Sequence, residues 1–289
     1  MNDRLVRMAI TGAAGRMGRK LIQATRKIQG VSLNVALEKK GSSLIGRDAG
    51  NLAGIGNIGV KLTDRLEDIS TDKFDVLIDF TQPEATLDYL KICRQFKKNM
   101  IIGTTGWDEN TTNIIKKAAS DIAIVWAMNF SVGMNVMLML VELTTQVLGK
   151  TTDIEIIEMH HRNKKDAPSG TALAIGEVIK TNLDYNFNKC AISEKEKSHE
   201  PRVHKIGFSS VRAGNIVGEH TVIFADIGGE RLEISHKASN RRIFAYGAIH
   251  AAKWINDKSH GFYNMHDVLN FSSIKDFKKS LNRAKINNK

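Results

Sequence analysis

The chain has 289 residues, of which 42% are hydrophobic and 25% are charged, and its formal net charge at pH 7 is +11. These values are typical of a globular protein of two modest domains or one large domain. No run of about 18 uncharged apolar residues occurs, which excludes a membrane-spanning helix. The first residues also lack the apolar region of a signal peptide.

The basic residues and the cysteines narrow the class of protein further. The excess of Lys and Arg is scattered or gathered in the C-terminal tail, without interleaved aromatic residues. We therefore expect a basic surface that handles anionic small molecules, with no nucleic-acid or membrane partner. Cys93 and Cys190 form no Cys-x-x-Cys pair, which predicts neither a disulfide framework nor a thiolate metal site and suits the reducing cytoplasm.

Short apolar runs alternate with helical patterns along the first half of the chain. This alternation predicts an α/β fold, a Rossmann-type doubly wound parallel sheet with right-handed crossovers. The predicted strands are 5–10, 31–37, 74–80, 100–102 and 122–126, and the predicted helices are one that begins near Met17, 83–97 and 108–120.

The pattern changes after about residue 130, where strands begin to dominate. Helices are predicted over 132–148 and 242–255, strands over 153–159, 206–212, 221–227 and 231–236, and a polar loop over 181–204. We therefore predict a smaller α+β domain with an open mixed sheet. The predicted domains are a dinucleotide-binding domain at 1–130, a substrate-binding and oligomerisation domain at 131–240, and at 241–289 a helix that returns to the first domain and a basic tail.

The glycine-rich segment Gly12–Gly18 follows the first predicted strand and opens the first helix. Glycines at this position allow a tight turn and the close approach of a pyrophosphate to the helix N-terminus. The spacing is G-x-x-G-x-x-G, whereas the strict fingerprint is G-x-G-x-x-G. The loop residues expected to bind a dinucleotide are Gly12, Ala13, Ala14, Gly15, Arg16 and Met17.

An acidic residue, Glu38, ends the second predicted strand, twenty positions beyond Gly18. A carboxylate there accepts hydrogen bonds from the adenine-ribose hydroxyls of a dinucleotide. Lys39 follows it, and a cation at this position neutralises a 2′-phosphate. We therefore expect both NADH and NADPH to be used.

Three further loops follow strands of the predicted sheet, at the carboxyl ends where α/β sheets bind ligands. Their small and hydroxyl residues let the backbone approach a nicotinamide, and Asn129 is placed to hold its carboxamide. The cofactor-binding residues predicted in these loops are Phe80, Gly103, Thr104, Thr105, Ala127, Met128, Asn129 and Phe130.

The segment from His160 to Ala172 follows a strand-like run and carries two imidazoles and two ammonium groups. It closes on Ser169, Gly170 and Thr171, which predict a helix start with Ser169 as its N-cap. A helix start favours an anion because of its N–H groups and its dipole. Proton donors beside an anion cradle therefore predict a site for a carboxylate-bearing substrate.

Taken together, these motifs resemble the 4-hydroxy-tetrahydrodipicolinate reductase (dihydrodipicolinate reductase) family of bacterial diaminopimelate and lysine biosynthesis. The resemblance runs from about Arg7 to Leu269 and is most specific in the His160–Thr171 segment. The matching segments are Gly12–Gly18, Asp79–Thr81, Gly103–Gly106, Asn129–Gly133, Glu158–Ala172, Val211–His220 and Leu232–Ser239.

The resemblance implies a Rossmann cofactor domain, a mixed-sheet domain that builds a homotetramer, and hydride transfer from NADH or NADPH to a cyclic imine dicarboxylate. It implies that His160 is the catalytic proton donor and that Lys164 is a second one. The matching substrate-carboxylate contacts are His161, Gly170 and Thr171, next to Ser169, and the matching ribose contacts are Glu38 and Lys39.

A few positions depart from the family pattern. His250 and His266 stand where arginines are expected, and Lys39 stands where arginine is common. Lysine lacks the planar fork that binds a phosphate with two hydrogen bonds, so the cofactor preference stays open. Gly228–Gly229 is one glycine more than the usual turn and leaves the strand register there open.

Three other classes of protein stay open at this point. An NAD(P)-dependent amino-acid dehydrogenase of the aspartate type explains the first half of the chain but not the Lys164–Thr171 cradle. A nucleic-acid-binding sensor would use the charge of +11, although no reading element is present. A metal enzyme using His160 and His161 is disfavoured because adjacent strand residues point to opposite faces, and we expect no metal.

Overall fold

The computed structural model describes residues 5–183 and 206–271. They form two compact units, the first from the described parts of Met1–Val132 and Arg242–Lys289 and the second from those of Gly133–Arg241. Most of the polar loop predicted at 181–204 and the basic tail lie outside the described residues. No helix in the two described ranges has the length and hydropathy needed to cross a bilayer.

Seven strands, numbered along the chain, form one parallel sheet in the first unit. They are β1 Val6–Ile10, β2 Val31–Leu37, β3 Leu62–Thr63, β4 Val76–Asp79, β5 Asn99–Ile102, β6 Ala123–Trp126 and β11 Gly261–Tyr263. Their order is β11-β6-β5-β4-β1-β2-β3, and every pairing is parallel. This is the doubly wound arrangement with its switch point beside β1, and it confirms the predicted Rossmann-type sheet.

Helices cover both faces of this sheet. They are α1 Arg16–Thr25, α2 Ala49–Ala53, α3 Pro83–Phe96, α4 Glu109–Ala118, α7 Arg242–Ile255 and α8 Met265–Val268. One apolar core contains residues of α1 and α7, and a second contains residues of α3 and α4. A Cβ on Gly247 of α7 would lie 1.7 Å from the carbonyl oxygen of Phe130, so this helix lies directly against the chain that follows β6.

The second unit has a four-stranded mixed sheet and two helices. The strands are β7 Thr152–His160, β8 Ile206–Arg212, β9 Gly218–Asp226 and β10 Arg231–Ala238, and the helices are α5 Val132–Leu148 and α6 Gly170–Asn182. The order is β10-β9-β7-β8, with β7 and β8 parallel and the other pairs antiparallel. The predicted open mixed sheet is confirmed, and the β9–β10 pairing is unbroken from the Gly228–Gly229 turn onwards.

One face of this sheet changes from apolar to polar along its strands. Side chains of α5 and α6 cover the apolar end, where Ile156 of β7 is flanked by partners on β8 and β9 in a buried core. Two residues further on, Glu158 stands between Ser210 and His220. Because alternate residues of a strand share a face, the same register that builds the core also places these polar groups side by side.

Candidate active site

The glycine loop after β1 is built so that two stretches of backbone touch. Gly12 has a φ of +56°, a conformation that favours glycine. A Cβ on Gly18 would lie 2.2 Å from the carbonyl oxygen of Gly12, so no side chain fits between helix and loop. The N-cap of α1, Gly15, provides no side-chain hydrogen bond. The first turn of α1 is therefore an open cradle of the kind that fits a pyrophosphate.

Glu38 lies against this loop. Its Oε2 accepts a hydrogen bond from the backbone N–H of Ala14 at 3.0 Å, and its Oε1 accepts one from the backbone N–H of Lys39 at 3.2 Å. The Glu38 side chain is half-buried, whereas Lys39 is exposed. The structure therefore brings the predicted ribose-binding carboxylate at the end of β2 and the predicted pyrophosphate-binding loop before α1 to one place.

A buried carboxylate that the sequence analysis did not assign joins the loops at the carboxyl edge of the sheet. Asp79, at the end of β4, is 0% exposed. Its Oδ1 accepts hydrogen bonds from the hydroxyls of Thr11 at 2.5 Å and Thr81 at 2.7 Å. Its Oδ2 accepts them from Thr104 at 2.8 Å and from Thr86. Neutral donors from four places therefore tie the loops after β1, β4 and β5 together.

The other predicted cofactor residues differ in what they can offer a ligand. The ring of Phe80 covers Gly103, where a Cβ would lie 2.1 Å from the ring, and it lies 5.4 Å from the ring of Phe130. Phe130 is 1% exposed, whereas Met128 is 71% exposed. Of the remainder, Ala13 and Thr104 are buried, Met17, Ala127 and Asn129 are half-buried, and Arg16 and Thr105 are exposed.

In the second unit, His160 at the end of β7 contacts Glu158 on the same strand face. Its Nδ1 lies against Oε2 of Glu158, and the two residues are 9% and 1% exposed. Arg212 on β8 binds the same carboxylate with both arms, Nη2 at 2.6 Å from Oε1 and Nη1 at 2.9 Å from Oε2. A bidentate guanidinium fixes both the position and the orientation of a carboxylate.

These contacts set the protonation of the cluster. Burial alone would raise the pKa of Glu158, but hydrogen bonds from Arg212, Ser210 and His160 lower it to about 2. Burial lowers the pKa of His160, against the opposing effect of Glu158. Burial and the nearby His160 lower the pKa of His220 to about 4. At neutral pH the carboxylate is therefore charged and His220 is uncharged.

Ser169 connects this cluster to the start of α6. Its Oγ accepts a hydrogen bond from the backbone N–H of Ala172 at 3.2 Å, which makes it the N-cap, and lies 3.1 Å from Nε2 of His220. Its own backbone N–H donates to Glu158 at 3.3 Å. Since the Ser169 side chain is buried and bound to protein partners, the exposed side of the helix start is formed by Gly170, where a Cβ would meet nothing within 4 Å.

Lys164 and His161 lie in the loop between β7 and α6. The Lys164 Nζ is paired with Asp166, at 2.9 Å from Oδ1 and 2.7 Å from Oδ2, and this ammonium lowers the pKa of the Asp166 carboxyl. His161 and Thr171 are half-buried. The predicted proton donors therefore differ in setting, since His160 is enclosed by the sheet while Lys164 lies beside an exposed carboxylate.

Sequence reasoning missed Asp79, Glu158, Arg212 and His220. Glu158 had a local signal, because it stands two places before His160 and so shares its strand face. Arg212 and His220 had no local signal beyond their place in the family-like segment Val211–His220, since they reach the site only through the register of β8 and β9 with β7. Within the described ranges, no group of three or more His, Cys, Asp or Glu side chains is arranged to hold a metal ion.

Comparisons with known proteins cover nearly the whole chain. Residues 6–130 match the family model "Dihydrodipicolinate reductase, N-terminus" and residues 133–269 match "Dihydrodipicolinate reductase, C-terminus". A dipicolinate-bound dihydrodipicolinate reductase from Paenisporosarcina sp. TG-14 has 23% sequence identity and a TM-score of 0.72, over 91% of this chain and 99% of that one.

Two solved enzymes of other kinds share the fold at lower identity. An amine dehydrogenase from Mycobacterium smegmatis has 10% identity and a TM-score of 0.58, over 89% of this chain and 94% of that one. Aspartate semialdehyde dehydrogenase II from Vibrio cholerae has 12% identity and a TM-score of 0.54, over 88% of this chain and 100% of that one. These likenesses concern the two-domain architecture alone.

Proposed function

The chain belongs to the dihydrodipicolinate reductase family, and we propose that its His160–Thr171 segment supplies the proton and binds the substrate in the family's reaction. That reaction is the NAD(P)H-dependent reduction of 4-hydroxy-tetrahydrodipicolinate to tetrahydrodipicolinate in diaminopimelate and lysine biosynthesis, so the chain is an oxidoreductase. The observation that carries this assignment is the match of both halves, residues 6–130 and 133–269, to the family models.

The glycine loop and the end of β2 would hold the cofactor. The uncapped N-terminus of α1 fits a pyrophosphate, and Glu38 beside it fits the adenine ribose. Lys39 is exposed next to Glu38 and provides a cation for a 2′-phosphate. We therefore propose that both NADH and NADPH are accepted. The reduced nicotinamide supplies the hydride when the cofactor is bound. The loops joined by Asp79 would hold the nicotinamide end of the cofactor.

The start of α6 would bind the substrate carboxylates. Its N-terminal N–H groups and its dipole favour an anion, and the open space at Gly170 lets one approach. His161 and Thr171 lie half-buried beside it. A small dicarboxylate is supported by the Paenisporosarcina protein, which carries bound dipicolinate.

His160 would act as the general acid of the reaction. Addition of a hydride to a conjugated imine leaves an electron pair on the substrate that needs a proton. His160 is the enclosed imidazole of the loop, and imidazoles transfer protons near neutral pH. Lys164 is the second proton donor in this proposal, either at a leaving hydroxyl or at the nitrogen.

A homotetramer built through the four-stranded sheet is a further part of the proposal. α5 and α6 contribute to the core on one face of that sheet. On the other face, Ile157, Met159 and Ile223 are half-buried and Val211 is 38% exposed. Apolar residues that stay partly exposed on a sheet face among the described residues favour burial against other copies of the chain. The cytoplasmic location predicted from the cysteines stays a prediction.

The test is the loss of reduced-nicotinamide absorbance with the purified protein. The substrate is made in situ by its synthase from pyruvate and aspartate semialdehyde, and NADH and NADPH are tested separately. We expect oxidation of both cofactors that requires the synthase, with the mixture lacking synthase as the control. No oxidation, by protein shown to be folded and to bind NAD(P)H, would contradict the proposal. The aspartate-type dehydrogenase has no observation in its favour over this one.

A further inference from the structure

We propose that Glu158, bound by Arg212, is a positioning residue that accepts a hydrogen bond from Nδ1 of His160. Nε2 of His160 is then the nitrogen available for proton transfer to the substrate. This inference rests on the proposed role of His160 as proton donor and adds the groups that orient it. Neither Glu158 nor Arg212 is expected to touch the substrate in this role.

The Glu158 carboxylate is saturated with hydrogen bonds. Oε1 accepts hydrogen bonds from Arg212 at 2.6 Å and from the backbone of Ser169 at 3.3 Å. Oε2 accepts one from Arg212 at 2.9 Å and contacts Nδ1 of His160. A charged carboxylate can only accept hydrogen bonds, so Nδ1 carries a hydrogen. The nitrogen that gains and loses the proton is therefore Nε2.

The surroundings of Nε2 differ from those of Nδ1. A Cβ on Gly218 of β9 would lie 3.0 Å from this nitrogen, so the ring edge lies over the one residue type that leaves it room. The ring of His220, also on β9, stands edge-on to His160 with the centroids 5.3 Å apart. His220 is held by Ser169 and does not compete for Nδ1. The surroundings thus fix the ring, and glycine at position 218 keeps a side chain off its distal nitrogen.

The charges around His160 act on its pKa in opposite directions. Glu158 on its own strand favours the imidazolium, whereas burial and the cations Lys164 and Arg212 lower the pKa of His160. Asp166 pairs with Lys164, and on the β9 side the ring faces the uncharged His220. His236 on β10 lies beyond His220 in the sheet and has a pKa lowered by burial. Glu158 is thus the anion in contact with the ring, and it favours the imidazolium while the two cations oppose it.

In the proposed step, the proton moves from Nε2 of His160 to the substrate. The Nε2–H bond of the imidazolium breaks and its electron pair stays on Nε2. The proton forms a bond with the substrate atom that carries the electron pair left by hydride addition. The imidazole that remains is neutral and has its hydrogen on Nδ1, where Glu158 already accepts it. No tautomer change is needed before the next proton enters at Nε2.

The experiment measures kcat/KM against pH for wild type, Glu158→Gln, His160→Gln and the double variant. Loss of the anion lowers the pKa of His160, and an acid works only below its pKa. We therefore expect the alkaline limb of Glu158→Gln to move down by about one pH unit, with about tenfold less activity above it. In the His160→Gln background the same substitution should change the rate less than about twofold. The affinity for NADPH should stay unchanged in all variants.

Different results would contradict the positioning role of Glu158 and the proton-donor role of His160 on which it rests. An unmoved limb in Glu158→Gln, or the same fold-loss with and without His160, overturns the positioning role. Full activity in His160→Gln overturns the premise, and with it both proposals about this ring. Should Glu158→Gln fail to fold, Arg212→Lys keeps a cation but loses the fork. It should move the limb in the same direction by a smaller amount, and an unmoved limb there also counts against the inference.

Discussion

Two buried carboxylates, one in each unit, are satisfied in different ways. Asp79 is 0% exposed and accepts four hydrogen bonds from threonine hydroxyls. Glu158 is 1% exposed and is bound by a guanidinium, an imidazole, the Ser210 hydroxyl and a backbone N–H. Both obey the rule that a buried polar group must be hydrogen-bonded.

The difference lies in what each carboxylate can transmit. Hydroxyl donors carry no net charge and do not titrate near neutral pH, so Asp79 fixes the geometry of the loops after β1, β4 and β5. The partners of Glu158 include an imidazole, so its charge acts on a proton that can leave. A buried carboxylate with neutral donors thus holds segments of the chain together, whereas one with a titrating donor can also shift the pKa of that donor.

The largest expected effect comes from removing the group that Glu158 orients. His160→Gln should lower kcat by about 10²-fold or more, the usual scale for the loss of a general acid, with the Kd for NADPH unchanged. The measurements are the coupled assay and a fluorescence titration with NADPH. Wild-type turnover in this variant would contradict the role of His160 as general acid. Glu158 would then have no proton donor to position, and the contrast with Asp79 would be lost.

Asp79→Asn should have an intermediate effect of a different kind. The amide brings N–H donors towards hydroxyls that already donate, so the free energy of unfolding should fall by about 1–3 kcal/mol. We expect a Tm lower by several degrees and a Kd for NADPH several-fold higher, because the cofactor loops loosen. The alkaline limb of kcat/KM should stay in place.

A matched control tests whether the effect of Asp79 passes through its hydroxyl donors. Thr86→Val removes one donor while keeping the shape of the side chain, and Thr86→Ser keeps the donor. The valine variant should resemble a milder Asp79→Asn, and the serine variant should resemble wild type. A shifted alkaline limb in Asp79→Asn would break the contrast between the two carboxylates.

The smallest expected effect concerns a third carboxylate, Glu38, which is half-buried and faces the glycine loop. Glu38→Ala should raise the Kd for NADH by a few-fold and that for NADPH less, because only NADH keeps the 2′-hydroxyl that a carboxylate accepts from. Lys39→Ala should show the reverse order, and titration of both cofactors checks this. Equal effects on the two cofactors would contradict the ribose assignment.

The sequence predicted the elements whose signals are local. The segments 31–37, 132–148, 206–212 and 242–255 coincide with β2, α5, β8 and α7. The strands β3 and β11 were missed because two or three residues are too few to show a period. The N-cap at Ser169 was predicted because its side-chain chemistry acts on residues three positions away.

By itself, the sequence determined the fold class, the glycine loop before α1 and the loop that follows β7, because each is encoded in residues that are neighbours along the chain. Only the tertiary structure decided which partners these residues meet. Arg212 is hydrogen-bonded to Glu158, which lies 54 positions earlier in the chain, and Thr11 is hydrogen-bonded to Asp79, which lies 68 positions later. The physical reason is that strand order and register, which no local pattern specifies, bring distant polar groups onto one face of a sheet or to one edge of it.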